Sequence, residues 1–256
     1  MNSEDSTNRR WFLKRGTMAV AATLAIPEIV SSAFAADRSA RKTHIDKDDV
    51  ILFQGDSITD WGRDHNKSEA NDGGALGSGY AYLTATELLC KYPDKNLQIY
   101  NKGISGNKVF QLADRWDTDC ISLKPNVLSI LIGVNDFWHT LGGGYKGTID
   151  TYHDDYKKLI ERTKQALPDV KLIIGEPFAV KGVKAVDDKW YPAFDAYRAA
   201  AKQVADLFGA TFIPYQSIFD KALQSAPGNY WTRDGVHPSP AGAGLMSHAW
   251  MEAVKG

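Results

Sequence analysis

"NVLSILIGV", Asn126 to Val134, is an apolar run broken only by Ser129 and closed by Gly133. A helix with one wet face would place polar residues every third or fourth position, and a strand with one wet face would alternate. A continuous run of this length reads as a strand buried on both faces. Such strands belong to parallel sheets covered by helices on each side.

The neighbouring sequence repeats that theme on either side. Upstream lie the short β-rich runs "VILFQ" from Val50 and "LQIYN" from Leu97. Downstream lie "VKLIIGEP" from Val170 and "ATFIPY" from Ala210. Helical spacing fills the gaps. Leu83, Leu88 and Leu89 recur on Tyr80–Tyr92, and Val109, Leu112 and Trp116 on a segment expected as one helix over 108–120. Ile149–Leu167 is stopped by Pro168, and 191–209 is closed by Gly209. A short helix follows over 216–226. A last helix has Ser239 as N-cap and Pro240 in its first turn. Strands alternating with helices predict a three-layer α/β/α sandwich with about five mostly parallel strands. Residues 50–256 are read as that one domain, without internal repeats.

Composition agrees with one sizeable core: 256 residues, 43% of them hydrophobic. The formal net charge of -1 offers no basic surface for nucleic acid. Cys90 and Cys120 form no CxxC pair and are expected as separate thiols on two helices.

The N-terminus reads as a leader. Arg9-Arg10 precedes Phe12, Leu13 and Lys14, an apolar stretch runs from Met18 to Val30, and Ala33-Phe34-Ala35 offers a small-x-small cleavage site. Residues 1–35 are therefore expected to be a twin-arginine export signal. Pro27 and Glu28 interrupt the apolar run, which is too short for a permanent membrane anchor. Residues 36–49 form a polar lead-in expected to be flexible, and the leader before it is expected to lie outside the fold. The mature chain is expected to be soluble and periplasmic or secreted. Nothing in the sequence bears on its oligomeric state.

In doubly covered parallel sheets, chemistry gathers in the loops after the strands. "GDSIT" with Ser57 follows the first strand, "NKGISGN" with Gly103 the second, and "GVNDFW" with Asn135 the third. "WTRDGVHPSPAG" near the C-terminus holds Asp234 and His237. Each could be structural alone: a turn glycine, a helix cap, a surface histidine. Together they supply an acyl-transfer site. A serine hydroxyl needs a base within hydrogen-bond reach, and an imidazole suits that task. The imidazole needs a carboxylate to fix its tautomer, and Asp234 lies three residues before His237. The oxyanion needs preorganised donors, for which the Ser57 and Gly103 N–H groups and the Asn135 amide are candidates. Gly103 is expected to let substrate approach the backbone closely.

These ordered blocks resemble the SGNH hydrolases of the GDSL esterase/lipase superfamily over essentially all of 50–256. The resemblance places the nucleophile on Ser57, the oxyanion donors on Ser57, Gly103 and Asn135, and the base with its partner on His237 and Asp234. It implies a flavodoxin-like sandwich and no cofactor. The first block reads GDSIT rather than GDSL, a departure that touches no catalytic residue. An α/β-hydrolase would need a Gly-x-Ser-x-Gly elbow, but Thr59 stands where that motif has glycine. A metal hydrolase using Asp56, Asp136, Asp234 and His237 has no supporting histidine spacing, so no metal is expected.

Aromatic residues crowd the site segments: Trp61, Phe137, Trp138, Trp190, Tyr191 and Trp231. Trp61, Trp138 and Trp231 are candidate sugar platforms. Exported single-domain members of the resembled family are similar to carbohydrate esterases. The expected activity is thus O-acetyl ester hydrolysis on an extracellular polysaccharide such as xylan or pectin. The alternatives are a broader carboxylester hydrolase, acting on lysophospholipids, thioesters or aryl esters, and a non-catalytic carbohydrate-binding domain.

Overall fold

The structure is a computed structural model and describes residues 25–35, 41–142 and 144–256. In chain order the elements are α1 (Ile26–Ala35), β1 (Thr43–His44), β2 (Val50–Gly55), α2 (Ser57–Asp60), α3 (Gly73–Leu76), α4 (Tyr80–Lys91) and β3 (Gln98–Asn101). Then come α5 (Val109–Asp114), α6 (Trp116–Asp119), a 3-10 turn (Ile121–Leu123), β4 (Val127–Leu131), α7 (Val134–Leu141), α8 (Ile149–Ala166) and β5 (Lys171–Gly175). The chain ends with α9 (Ala193–Leu207), β6 (Thr211–Ile213), α10 (Tyr215–Ala222), α11 (Gly228–Trp231), α12 (Pro240–Glu252) and β7 (Val254–Lys255).

The main sheet has five parallel strands in the order β3-β2-β4-β5-β6. Every residue of β4 is buried, as its apolar run requires. Ser129, its one polar residue, accepts the Trp250 Nε1–H at 3.0 Å, so it leaves no unsatisfied polar group between strand and helix. Helices α4, α12 and α10 cover one face and α5, α8 and α9 the other. Phe53 packs against Tyr80 and Trp250 on the first side, while Trp116 donates to Thr163 Oγ1 on the second. Chain direction across the sheet reverses at β2, which pairs with β3 on one side and β4 on the other. Ligand crevices of such sheets open outside the strand ends at this switch point.

Three expectations change. The helix expected over 108–120 breaks at Arg115. Its guanidinium is pulled inward to Asn107 Oδ1, Gln54 Oε1, the Lys102 carbonyl and Asp119 Oδ2, all at 2.8–3.0 Å. The lead-in is not loose throughout. From residue 41 on it is tied down: β1 pairs with β7, Ile45 is fully buried, and Lys171 bridges Asp46 and Asp49. The expected leader also contributes α1, whose Ile29, Val30, Ala33 and Phe34 are buried against α10 and α12. Arg9-Arg10 and the rest of 1–24 lie outside the described residues. Cys90 is exposed and Cys120 buried, each a free thiol, and burial pushes Cys120 up to about 12.

Candidate active site

Strand β2 delivers Ser57 through a tight glycine turn. Gly55 ends it, and a Cβ there would lie 2.4 Å from the Leu131 carbonyl and 2.5 Å from Thr59 Oγ1. Only glycine lets the chain turn this close to β4. Asp56 then caps α2, its Oδ1 accepting from the Ile58 N–H at 3.0 Å. Capping thus falls to Asp56, which leaves the Ser57 hydroxyl free for another partner. Ser57 Oγ lies 2.8 Å from His237 Nε2. Since α2 has only four residues, its dipole adds little, and stabilisation of negative charge must come from individual donors.

His237 is held from behind. Its Nδ1 lies 2.7 Å from Asp234 Oδ2. Asp234 Oδ1 accepts the backbone N–H groups of Val236 at 2.9 Å and His237 at 2.8 Å. Partial burial pushes the Asp234 carboxyl up, yet the hydrogen bonds from His237 and Val236 outweigh it and hold the group below its ordinary value. An ionised Asp234 fixes the tautomer with the proton on Nδ1, leaving Nε2 as acceptor for the serine proton.

The three expected oxyanion donors differ in readiness. Among the described residues no acceptor takes the Ser57 N–H. Buried Asn135, in the first turn of α7, donates one Nδ2 proton to the Asn107 carbonyl at 3.2 Å and keeps the other. The Gly103 N–H is already engaged: it donates to Asn101 Oδ1 at 2.9 Å. It reaches an oxyanion only by sharing or leaving that bond. The reason for glycine at 103 also differs from the expectation. A Cβ there would meet the Asp60 N at 2.5 Å and the Thr59 carbonyl carbon at 2.9 Å, so the constraint is packing against α2 rather than room for substrate. Arg63 and Asp60 brace this loop. Arg63 Nε donates to the Gly103 carbonyl at 2.7 Å, and Asp60 Oδ2 accepts the Ser105 N–H and hydroxyl. Neither brace was singled out from sequence.

Two further carboxyls lie under the site. Asp56 and Asp136 are buried, and one oxygen of each has no partner among the described residues. Burial pushes both up to about 7. The Asp136 charge adds to the rise at Asp56, while the Ile58 and Val109 N–H groups each pull the other way. Among the described residues no group of three or more His, Cys, Asp or Glu side chains is arranged to hold a metal ion.

An open cavity of about 580 Å³ faces Ser57 and His237, with Trp61, Ser78, Ser105 and Arg233 on its walls. Trp61 and Trp138 reach the site, their rings 5.9 and 6.1 Å from the His237 ring. Trp231 does not. It is buried, and its indole N–H is bound by the Ala222 and Ala226 carbonyls, so it is a core residue. Phe137 and Trp190 are also core residues, and Tyr191 donates its hydroxyl to the Ala179 carbonyl. Arg233 was overlooked in the sequence although it adjoins Asp234. Its guanidinium lies 4.6 Å from the Trp61 ring centre, within cation–π range.

Comparison with known proteins follows the same outline. The model of the GDSL-like Lipase/Acylhydrolase family matches residues 53–245. An acetylxylan esterase from Geobacillus stearothermophilus is 35% identical over 209 residues, covering 80% of this chain and 93% of its own. A protein from Parabacteroides merdae, classed as a GDSL-like lipase, has a crystal structure with TM-score 0.81 and 51% identity, covering 83% of this chain and 98% of its own. A catalytic mutant of the Geobacillus acetylxylan esterase, with aspartate replaced by alanine, superimposes with TM-score 0.75 at 31% identity, covering 83% and 99%. Catalytic mutants of that esterase also include replacements of a serine and of a histidine three positions after the aspartate.

Proposed function

We propose that this chain, which belongs to the GDSL-like lipase/acylhydrolase family and is a carboxylic ester hydrolase, removes O-acetyl groups from polysaccharides or oligosaccharides, with acetylated xylan foremost. The observation that carries this reading is the continuous relay from Ser57 Oγ through His237 to Asp234, at 2.8 and 2.7 Å. The similarity to an acetylxylan esterase supports the substrate class. The spacing of aspartate and histidine in that enzyme's catalytic mutants matches Asp234 and His237 here.

The geometry supports a two-step acyl-enzyme mechanism. Ser57 Oγ attacks the ester carbonyl carbon while His237 Nε2 takes its proton. Asp234 stabilises the resulting imidazolium through Nδ1. The tetrahedral oxyanion forms beside the Ser57 N–H and the free Asn135 proton, with Gly103 joining if its bond to Asn101 loosens. Collapse breaks the ester C–O bond, and His237 protonates the departing sugar oxygen. A water deprotonated by His237 then attacks the acetyl-serine carbonyl, the acyl C–O bond to Ser57 breaks as His237 returns the proton to Ser57 Oγ, and acetate leaves. The open cavity, with Trp61 on its wall, leaves room for a bulky sugar alcohol beside Ser57.

The test is acetate release from acetylated xylan, pectin and mannan, with 4-nitrophenyl esters of rising chain length alongside. This reading expects carbohydrate acetates and short acyl chains to be preferred. Preference for long acyl chains, with no acetate from any carbohydrate, would replace it with the broader carboxylester hydrolase.

We also infer export through the twin-arginine leader. Ala33 and Phe34 are buried in α1, so cleavage after Ala35 requires α1 to leave its seat on α10 and α12. N-terminal sequencing of the exported protein tests this. A mature chain beginning before Ile26 would show α1 to be a permanent part of the fold.

A further inference from the structure

Beyond Trp138, away from the catalytic serine, a second open cavity of about 580 Å³ is lined by Lys108, Phe110, Trp138, His139 and Tyr145. Two features set it apart. Phe110 and Tyr145 stack in parallel, their ring centres 5.9 Å apart and their planes 18° from each other, and Phe110 is 38% exposed. Lys108 is only 8% exposed, and among the described residues no carboxylate forms an ion pair with it, although its charge reaches buried Asp136 and pulls that carboxyl down against the rise that burial causes. Its Nζ lies 5.1 Å from the Tyr145 ring centre and 5.9 Å from that of Phe110, and its one hydrogen bond is a long contact of 3.5 Å to Gln111 Oε1.

A buried lysine is normally paired, because desolvating an ammonium without a counter-charge is costly. Ring faces offset part of that cost but leave the ammonium's hydrogen-bonding capacity largely unused. A cation without a direct ion-pair partner beside an exposed aromatic platform matches a sugar ring that carries a carboxylate. The ring would lie on Phe110 and Tyr145, and the carboxylate would meet Lys108.

The position ties this cavity to the catalytic centre. Trp138 forms its wall and also lies 6.1 Å from the His237 ring. The strand of chain carrying Lys108 is bonded to the oxyanion helix on both sides of that residue. The Asn107 carbonyl accepts from Asn135, and the Val109 N–H donates to Asp136 Oδ1 at 3.1 Å. A glycan with its acetylated unit at Ser57 can thus extend past Trp138 into the second cavity.

We propose that the groove formed by Lys108, Phe110 and Tyr145 is a second sugar subsite that selects a uronic-acid unit on the glycan being deacetylated at Ser57. This rests on the reading of the site as a carbohydrate esterase. The subsite favours acetylated oligosaccharides bearing a uronic-acid branch over neutral ones of equal length. A charge-assisted hydrogen bond in this setting corresponds to about tenfold or more in kcat/KM.

The experiment compares kcat/KM for acetate release from acetylated xylo-oligosaccharides with and without a glucuronic-acid branch. The wild-type protein and Lys108→Met are both assayed. The expected result is a preference of about tenfold for the acidic substrate in the wild type, collapsing to near unity in the variant. A wild-type ratio near one overturns the proposal, as does a preference that survives Lys108→Met. Calorimetry of the unacetylated acidic oligosaccharide on the Ser57→Ala protein separates this from failure of the esterase reading, since it needs no turnover. Binding of the acidic glycan and not the neutral one supports the subsite whatever ester proves to be the substrate. Equal binding of both, or of neither, counts against it.

Discussion

Replacing Asp234 by asparagine isolates the role of its charge with almost no change in shape. The outcome depends on which way the new amide faces, and the structure decides that. Asp234 Oδ1 accepts two backbone N–H groups, from Val236 and His237, at 2.9 and 2.8 Å. An NH₂ group there would confront two donors, so the amide oxygen must keep the Oδ1 position. The NH₂ group is then forced toward His237 Nδ1, where the carboxylate oxygen sat at 2.7 Å. Two donors cannot face each other, so Nδ1 gives up its proton and accepts. The imidazole proton moves to Nε2, where it points at Ser57 Oγ, and the base is lost although every atom stays near its place. Inverting the tautomer of a catalytic histidine this way costs about 10⁴-fold in kcat, equivalent to about 5 kcal/mol of transition-state stabilisation. The assay is initial-rate hydrolysis of 4-nitrophenyl acetate, with the thermal midpoint as control for folding. A folded Asp234→Asn protein within tenfold of wild-type kcat would refute the assigned tautomer and its fixing by the loop.

The two buried carboxyls make stability depend on pH. Asp56 and Asp136 are pushed up to about 7, above the 3.8 expected in an unfolded chain. Below pH 3.8 both states hold the proton. As pH rises from there toward 7 the unfolded chain ionises first, so native stability falls across this range. Asp56→Asn keeps the cap on Ile58 and should flatten this decline in urea melts between pH 4 and 7; an unchanged slope would mean Asp56 is ionised when folded. Asn135→Ala should lower kcat by about 10²–10³ with a smaller effect on KM, and a change in KM alone would make Asn135 a binding residue. Trp231→Ala should destabilise the fold by about 3–5 kcal/mol. Trp61→Ala should keep its melting temperature and raise KM for acetylated oligosaccharides. The reverse pattern would restore Trp231 to the binding surface.

What could be read from sequence followed the strength of local pattern. The buried run of β4 and the β-rich runs around it fixed the five-stranded parallel sheet, because burial on both faces leaves an apolar mark. Ser57, Asn135, Asp234 and His237 could be singled out because an acyl-transfer site calls for particular residue types in the loops after strands. Aromatic side chains carry no such mark. Trp61 at the cavity and Trp231 in the core look alike until the indole N–H of Trp231 is seen bound by the Ala222 and Ala226 carbonyls. The break at Arg115 was hidden because it is caused by distant partners, Gln54 and Lys102, on other elements. Strands of two residues such as β1 and β7 are too short to show periodicity. The engagement of the Gly103 N–H by Asn101 depends on side-chain direction, which spacing does not encode.

The central claim is that Ser57 carries the acyl group. Acetate release from acetylated xylan by the Ser57→Ala protein tests it most directly, with circular dichroism confirming the fold. Loss of turnover to the uncatalysed background is the predicted result. Turnover unchanged from wild type in a folded Ser57→Ala protein would contradict the account.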